Sequence, residues 1–514
     1  MSLPAHLHRS VRGWSRIAPG PHPWWSAAVA TLATGIPLAV TLAADTPLLA
    51  APATFGAMAN LYGRSEAYAR RWRTQAWTGL GLTLAVLAGA CAAALPLTGW
   101  ADVAVPALVV AVVAVVAKFV TDAVRTGPPA GLIPVFAAGT LGAEPLRADD
   151  LPAVVAVAVA CAAFAVALSC AAGLLRPDGP ERNAVRRAVL AVLDAREDPT
   201  AHHRAVVAVD AAWAVLGPRG AGALGGWLAH AERLLHTRAP AADRPLRVLL
   251  PLLAGRRALP PAPAGPAHTA PVWPRRRVLT ALRTPGALGV PALRVGIACV
   301  AAVLLAAACG LGHVYWAAVG AAAALQAPSA GITVQRALQR AAGTLVGVGL
   351  AAALVPLATG DVRLWGLTVA CTFAVEFCMP RNHALGTVAI TCLSLLLTRL
   401  GATGTGVERL VLDRVGDTAV GVGVAVGVAL LVRNARARHA LDGALDALGR
   451  AQDPHRLRSG LLAVAEARAL LADDDWRLPA PRTAADAERA GYARLGDLLA
   501  GQDGERGTPR PIHP

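Results

Sequence analysis

The chain has 514 residues, 55% of them hydrophobic and only 16% charged, with a mean hydropathy of +0.50. So apolar a composition at this length excludes an ordinary soluble globular protein and points to a polytopic membrane protein. A net charge of +16 would suggest nucleic acid if it formed one patch, but the basic residues divide between short loops and two polar segments, as topology signals and lipid headgroup contacts do.

Residues 1–23 carry Arg9, Arg12 and Arg16 among prolines without an apolar stretch, so no cleavable signal is predicted and the first span serves as the insertion signal. A first membrane block, residues 24–175, contains six predicted spans: Trp24 to Ala43, Pro47 to Tyr62, Ala76 to Leu95, Val103 to Val120, Pro128 to Gly142 and Leu151 to Leu175. Each is compared with the ~20 residues needed to cross the hydrocarbon as a helix. Residues 176–290 change character. Val185, Val189 and Leu193, then Val206, Val209, Trp213 and Leu216, form apolar stripes on polar helices, and a proline-rich linker from Leu259 to Pro274 follows. A second block, residues 291–433, has six more spans: Pro291 to Leu311, Val314 to Ala327, Ala341 to Leu357, Leu364 to Met379, His383 to Leu400 and Val415 to Val432. Residues 434–514 form C-terminal helices and a tail. The fold class predicted is an all-α polytopic membrane protein with about twelve spans and cytoplasmic helical segments.

Arg64, Arg70, Arg71, Arg73, Lys118, Arg125, Arg336, Arg340 and Arg381 crowd one set of loops. The opposite set has fewer basic residues, Arg147, Arg363, Arg399 and Arg409, accompanied by carboxylates. Positive-inside counting puts both termini and both polar segments in the cytoplasm. The eight cysteines lie in apolar runs without CxxC spacing, giving neither a disulfide framework nor a metal site. Gly56 to Leu82 overlies Gly320 to Val346 without gaps, matching Gly56, Leu61, Ser65, Gln75 and Gly79 with Gly320, Leu325, Ser329, Gln339 and Gly343. With six spans per half, the two halves share one orientation as a parallel repeat.

Four stretches carry a family resemblance: "YWAAVGAAAALQ" (Tyr315 to Gln326), "QRALQRAAGTLVGVGLA" (Gln335 to Ala351), "PRNHALGT" (Pro380 to Thr387) and "DRVGDTAVGVGV" (Asp413 to Val424). Together they resemble the fusaric acid resistance protein family of bacterial inner-membrane exporters. That family is similar to the aromatic acid exporters and, more distantly, to plant aluminium-activated malate channels. "ATFGAMANLYGR" (Ala53 to Arg64) resembles the opening of actinobacterial members. The resemblance implies a multi-pass cytoplasmic-membrane transporter of aromatic or other organic carboxylates, working outward, with cytoplasmic helical domains.

Lys118, the only lysine, falls with Asp122 and Arg125 at i, i+4 and i+7, giving plus, minus, plus on one helical face. It reads either as a snorkelling anchor paired with Asp122 or as the lining of an anion pathway. Aligning Asp102 with Asp361 sets Glu376 opposite Ala117, so lysine and glutamate lie at nearly equivalent depths in the two halves. Glu376 there needs a basic partner, with Lys118, Arg381 or Arg125 as candidates, and serves as a structural ion pair or a proton-coupling carboxylate. Arg336 and Arg340 either mark the inner side or gather anionic substrate, since guanidinium groups bind carboxylates bidentately. Pro380 ends the tenth span, and His383 beyond it is a proton-relay candidate.

Asp413, Arg414 and Asp417 open the last span. Asp413 is expected to cap it and Arg414 to bridge Asp417, a structural or gating role. Asp102 and Asp361 read as helix N-caps. Gly343 with Gly347, and Gly423 with Gly427, have the spacing of close helix packing. The second spans of both halves are short and interrupted, by Pro47 and Pro52 in one and ending at Gln326, Ala327 and Pro328 in the other. Corresponding broken spans mark a central site, which puts the substrate path between the halves.

Neither a Walker A sequence nor GxSxG or HExxH occurs, so no enzyme, cofactor or metal is expected and proton coupling is the available energy source. The partners expected are the lipid bilayer, a small organic anion, protons and a second copy in a homo-oligomer. Beside the exporter stand two alternatives: a passive organic-anion channel, and a membrane scaffold whose cytoplasmic helices bind a partner.

Overall fold

The structure, a computed structural model, describes residues 24–198, 201–217, 222–236, 244–255, 258–261, 278, 286–326, 330–401, 407–432, 437–474 and 482–504. Arg9, Arg12, Arg16, Ser329, most of the proline-rich linker and the tail lie outside them, as does the side chain of Arg399. Regular structure among the described residues is helical throughout. In the first block the helices are α1 (Trp24–Ala43), α2 (Ala50–Ala57, flanked by 3-10 turns Pro47–Leu49 and Met58–Leu61), α3 (Tyr68–Ala93), α4 (Trp100–Val124), α5 (Leu132–Leu141) and α6 (Leu151–Leu175). The middle segment gives α7 (Gly179–Glu197), α8 (His202–Leu216), α9 (Ala223–His236) and α10 (Arg244–Ala254). The second block gives α11 (Gly286–Ala308), α12 (Tyr315–Leu325), α13 (Ala330–Leu354), α14 (Asp361–Cys378), α15 (His383–Gly401) and α16 (Val407–Leu431), and α17 (Ala437–Arg450), α18 (Pro454–Asp474) and α19 (Arg482–Gly504) follow.

Helices α1, α3, α4, α6, α11, α13 and α16 are seven that are long and apolar enough to cross a membrane. All twelve predicted spans fall on helical segments, but several are short. With 10 and 11 residues, α5 and α12 reach only about 15 to 17 Å at 1.5 Å per residue, against ~30 Å of hydrocarbon. Inside such helices the backbone satisfies itself, and the threonines join in: Thr31, Thr368 and Thr391 donate to carbonyls one turn back at 2.7–2.8 Å. One face of α4 presents Leu108, Val112 and Val116, each more than half exposed, at i, i+4 and i+8. Its other face buries Ala107, Val110, Ala111, Ala114 and Lys118. An exposed apolar stripe opposite a small-residue seam is the pattern of a helix set between lipid and protein.

The chain divides into two compact units. In the first, residues 1–64, 71–171 and 274–434, the two blocks interlock: α4 packs on α11, α1 on α14 and α5 on α12. Glycines permit these approaches. A Cβ at Gly35 on α1 would lie 3.0 Å from Val369 Cγ2 on α14, and one at Gly296 on α11 would lie 2.5 Å from Val115 Cγ2 on α4. Gly343 and Gly347 set α13 against Thr387 and Thr391 of α15, as their spacing predicts, whereas Gly423 and Gly427 face open space and mediate no such contact. Gly421 on α16 lies against the Ala317 backbone of α12.

Two predicted caps are corrected. Gly99 (φ +63°) and Gly360 (φ +78°) occupy the N-cap positions of α4 and α14, and Asp102 and Asp361 sit in the first turns without a capping bond. There they place negative charge at the positive end of the helix dipole. Asp413 is likewise no cap, because α16 begins at Val407, well before it; no glycine or proline interrupts Val407 to Leu412.

The second unit comprises residues 65–70, 172–273 and 435–514. The stripes of α7 and α8 form its core: Val185, Val189, Val206, Val209, Trp213 and Leu216 are all buried, with Leu462 and Tyr492 from the C-terminal segment packed against them. A buried charge network ties the segments. Arg458 of α18 bonds Glu232 of α9 and lies 3.3 Å from Asp210 of α8, while Trp213 Nε1–H donates to the other Glu232 oxygen at 2.8 Å. Arg458 and Glu232 are each 1% exposed, so each depends on the other for its charge. Nearby, the rings of His202, His236 and Tyr492 meet at 5.1–6.3 Å. Burial is the largest influence on His236 and holds it down to about 4.

A Cβ at Gly421 would strike backbone rather than a movable side chain, so Gly421→Ala should cost about 1–3 kcal/mol, and Gly423→Ala, facing open space, close to nothing; thermal melting of the detergent-purified protein compares them. Because His236 folds neutral, its contribution is complete above the unfolded value of about 6.5 and is lost as pH falls towards 4. Once corrected for the intrinsic slowing of amide exchange at lower pH, hydrogen exchange in Ala223–His236 should therefore be less protected at pH 5 than at pH 7.5, a difference that His236→Leu reduces.

Candidate functional site

Lys118 and Glu376, which the sequence alignment of the two halves matches in depth, do not meet each other. Lys118 is 4% exposed, and its ammonium sits 2.9 Å from Asp122 Oδ2, one turn on. Its Nζ also donates to the backbone carbonyl of Gln326 at 3.2 Å. Gln326 is the C-cap of α12, whose last carbonyls have no intrahelical partner, so the lysine supplies a cation where the helix dipole is negative. The Gln326 side chain ends there with its own amide atoms buried and unpartnered. Arg125 ends α4 in the left-handed conformation (φ 58°, ψ 49°) and is exposed.

Glu376 of α14 pairs with Arg64 at 2.6 Å, none of the three partners expected from sequence. Arg64 closes the broken second span, its Nε donating to Asn60 O at 3.2 Å. The sequence places Arg64 among the inner-side arginines, but 312 residues separate it from Glu376, and only the packing of the two blocks joins them. Arg381 stacks instead on Phe377, its guanidinium carbon 4.4 Å from the ring centroid, and Phe377 touches Trp24. Asn382 caps α15: its Oδ1 accepts from the N–H groups of Ala384 and Leu385 at 2.8 and 3.2 Å.

Charges without hydrogen bonds gather in the second block, around α12, α13 and α16. Arg340 is 4% exposed, Arg414 2% and Asp417 0%. Arg340 Nε, Arg414 Nε and Nη1, and both Asp417 oxygens lack a hydrogen-bond partner, as do Trp316 Nε1 and Thr344 Oγ1. The expected Arg414 to Asp417 bridge is thus not formed; Arg414 lies over the Trp316 ring at 4.6 Å. Gly320 lies beside them: a Cβ there would be in ordinary contact with Arg340 Nε at 3.8 Å and the Asp417 carbonyl at 3.9 Å. Arg340 and Arg414 are close enough to repel each other. His383 Nε2 is also buried without a partner, within range of the charges of Arg340 and Arg336. Asp413, by contrast, is spent: it pairs with His313 Nδ1 at 3.0 Å and Arg409 Nε at 3.2 Å. His313, which sequence reasoning missed, stacks on Trp316 at 4.6 Å; its only sequence signal was its place beside "YWAAVG".

Apolar helices long enough to cross a bilayer, with ionisable groups held between them, define a multi-pass α-helical membrane protein. Residues 300–428 match the fusaric acid resistance protein-like family. That stretch runs from α11 to α16 and includes Arg340, Arg414 and Asp417, but neither Lys118 nor Arg64. The uncharacterized membrane protein YvaC of Bacillus subtilis (strain 168) is 34% identical over 132 residues, 26% of this chain and 21% of the relative. The chain thus spans about a fifth of that relative's length. Neither match extends to the plant malate channels. No solved structure matches the chain. Among the described residues no group of His, Cys, Asp and Glu is placed to hold a metal ion.

The Arg64 to Glu376 contact is a specific cross-block ion pair, so Glu376→Gln and Arg64→Gln should each lower the melting temperature in detergent. The double variant should lose less than the sum, with an interaction energy of about 1–3 kcal/mol.

Proposed function

We propose that this protein is a secondary transporter of the cytoplasmic membrane that carries small organic carboxylates outward. The observation that carries this reading is the group of buried arginine atoms without partners at Arg340 and Arg414. Buried donors are almost always paired, and a guanidinium inside apolar helices is costly. Arg340 beside Gly320 and Arg414 over the Trp316 indole suit an anionic ligand that completes them with paired hydrogen bonds. The family supports transport rather than catalysis.

On this reading the molecule has twelve membrane segments in two parallel six-helix halves. The helix contacts support it: the fourth segment against the seventh, and the first against the tenth, become one another when the halves are exchanged. The two charged contacts interchange in the same way. Lys118 on the fourth segment holds the end of the second half's short helix, and Glu376 on the tenth, through Arg64, holds the end of the first half's broken helix. These are inner clamps between the halves, and their release accompanies alternating access. Both termini and the second unit lie in the cytoplasm, as the distribution of arginine supports.

In proteoliposomes, uptake of a radiolabelled aromatic carboxylate such as benzoate against its gradient distinguishes a coupled carrier from a channel, which only dissipates. Arg414→Gln and Arg340→Gln should each reduce uptake about 10- to 100-fold, the loss expected for one charge-assisted hydrogen bond, in protein that still elutes as a folded species. Undiminished uptake in both would overturn the assignment, and an unchanged phenotype without flux would favour the scaffold.

A further inference from the structure

We infer that Asp417 is a proton site electrostatically coupled to the arginine site, so that a proton and an anion bind there together rather than in exchange. The inference rests on the anion-site reading just given. Its basis is positional. Asp417 follows Arg414 by three residues on α16, and its backbone carbonyl and Arg340 Nε lie beside the same Gly320, at 3.9 and 3.8 Å from where a Cβ would be. Its side chain is fully buried, and neither oxygen accepts a hydrogen bond. An ionised carboxylate has about four acceptor sites to fill. Leaving them all empty in an apolar interior is a standing incentive to take up a proton.

The charged neighbours fix the sign of the coupling. On its own helix Asp417 faces Arg414 and, one turn earlier, Asp413, whose charge is committed to His313 and Arg409. From α13 comes Arg340, with the half-buried Arg336 a turn before it and His383 of α15 nearby. From α12 come Tyr315 and Trp316, which carry no charge. Two guanidinium groups and one carboxylate leave one net positive charge; a proton on Asp417 leaves two. Through a medium of low dielectric the ionised carboxylate repels an incoming anion and competes for the same arginines. Protonation removes both effects, and by linkage the anion raises proton affinity by the same factor. The proton comes from water on whichever side the site is open, goes to one Asp417 oxygen and leaves from it on the other side. A monocarboxylate then crosses with its proton as an electroneutral pair, and net flow follows the gradient of the acid rather than opposing the proton gradient.

The test is benzoate binding to the purified full-length protein by isothermal titration calorimetry between pH 6 and pH 8.5, a range in which benzoate itself stays ionised. Wild-type affinity should fall about tenfold across it, a coupling of ordinary size, with proton uptake read from the buffer dependence of the heat. Asp417→Asn should bind at the low-pH affinity throughout, without proton uptake. A wild-type affinity independent of pH, or a pH dependence that survives in Asp417→Asn and disappears in His383→Asn, overturns the inference. Failure of the anion site itself looks different: Arg414→Gln would then bind benzoate as the wild type does, or no benzoate would bind at any pH.

Discussion

A charge placed among apolar helices has no water to turn to, and the membrane unit is organised by how each of its charges answers that constraint. Lys118 answers it with Asp122 and the carbonyl end of a short helix, Glu376 with Arg64, and Asp413 with His313 and Arg409. Arg340, Arg414 and Asp417 leave hydrogen-bonding atoms unanswered. The proposed anion site rests on those unanswered atoms, not on residue type or depth.

The short helix α12 is where these answers meet. Its 11 residues end within reach of Lys118 on one side, and its middle glycine, Gly320, lies against Arg340 and α16. A full-length helix would carry its last carbonyls to the membrane surface, where water satisfies them; a half-length one brings them to a buried lysine instead. Brevity therefore has a consequence for charge placement. The short second helix of the first block is flanked by 3-10 turns, and its end is bonded by Arg64 and by Gln75, whose Nε2 donates to Asn60 O and Tyr62 O at 3.2 and 3.1 Å.

Much of this was legible before any coordinates. Hydropathy located the helices, and the alanine and glycine content of the spans announced close packing. The apolar stripes of α7 and α8 were visible as the core of a polar helical unit. The unusual lysine, the interrupted second spans and the Arg and Asp residues of "DRVGD" all stood out as costly residues in apolar surroundings. Their partners did not. Glu376 was matched by depth with Lys118 and by proximity with Arg381, yet it found Arg64, and Arg414 turned to Trp316 rather than to Asp417 one turn away. Spacing along one helix predicted Lys118 with Asp122 because both lie on that helix.

The sequence by itself determined the class of the protein, the positions of its helices and which side chains would be expensive to bury, because hydropathy and helical period are local properties. Tertiary structure alone decided which helices interlock, that the two polar segments form one unit, and which buried charges are paired. Those outcomes depend on contacts between residues hundreds of positions apart, where a glycine that admits a neighbouring backbone, or a helix that ends half way, chooses the partner.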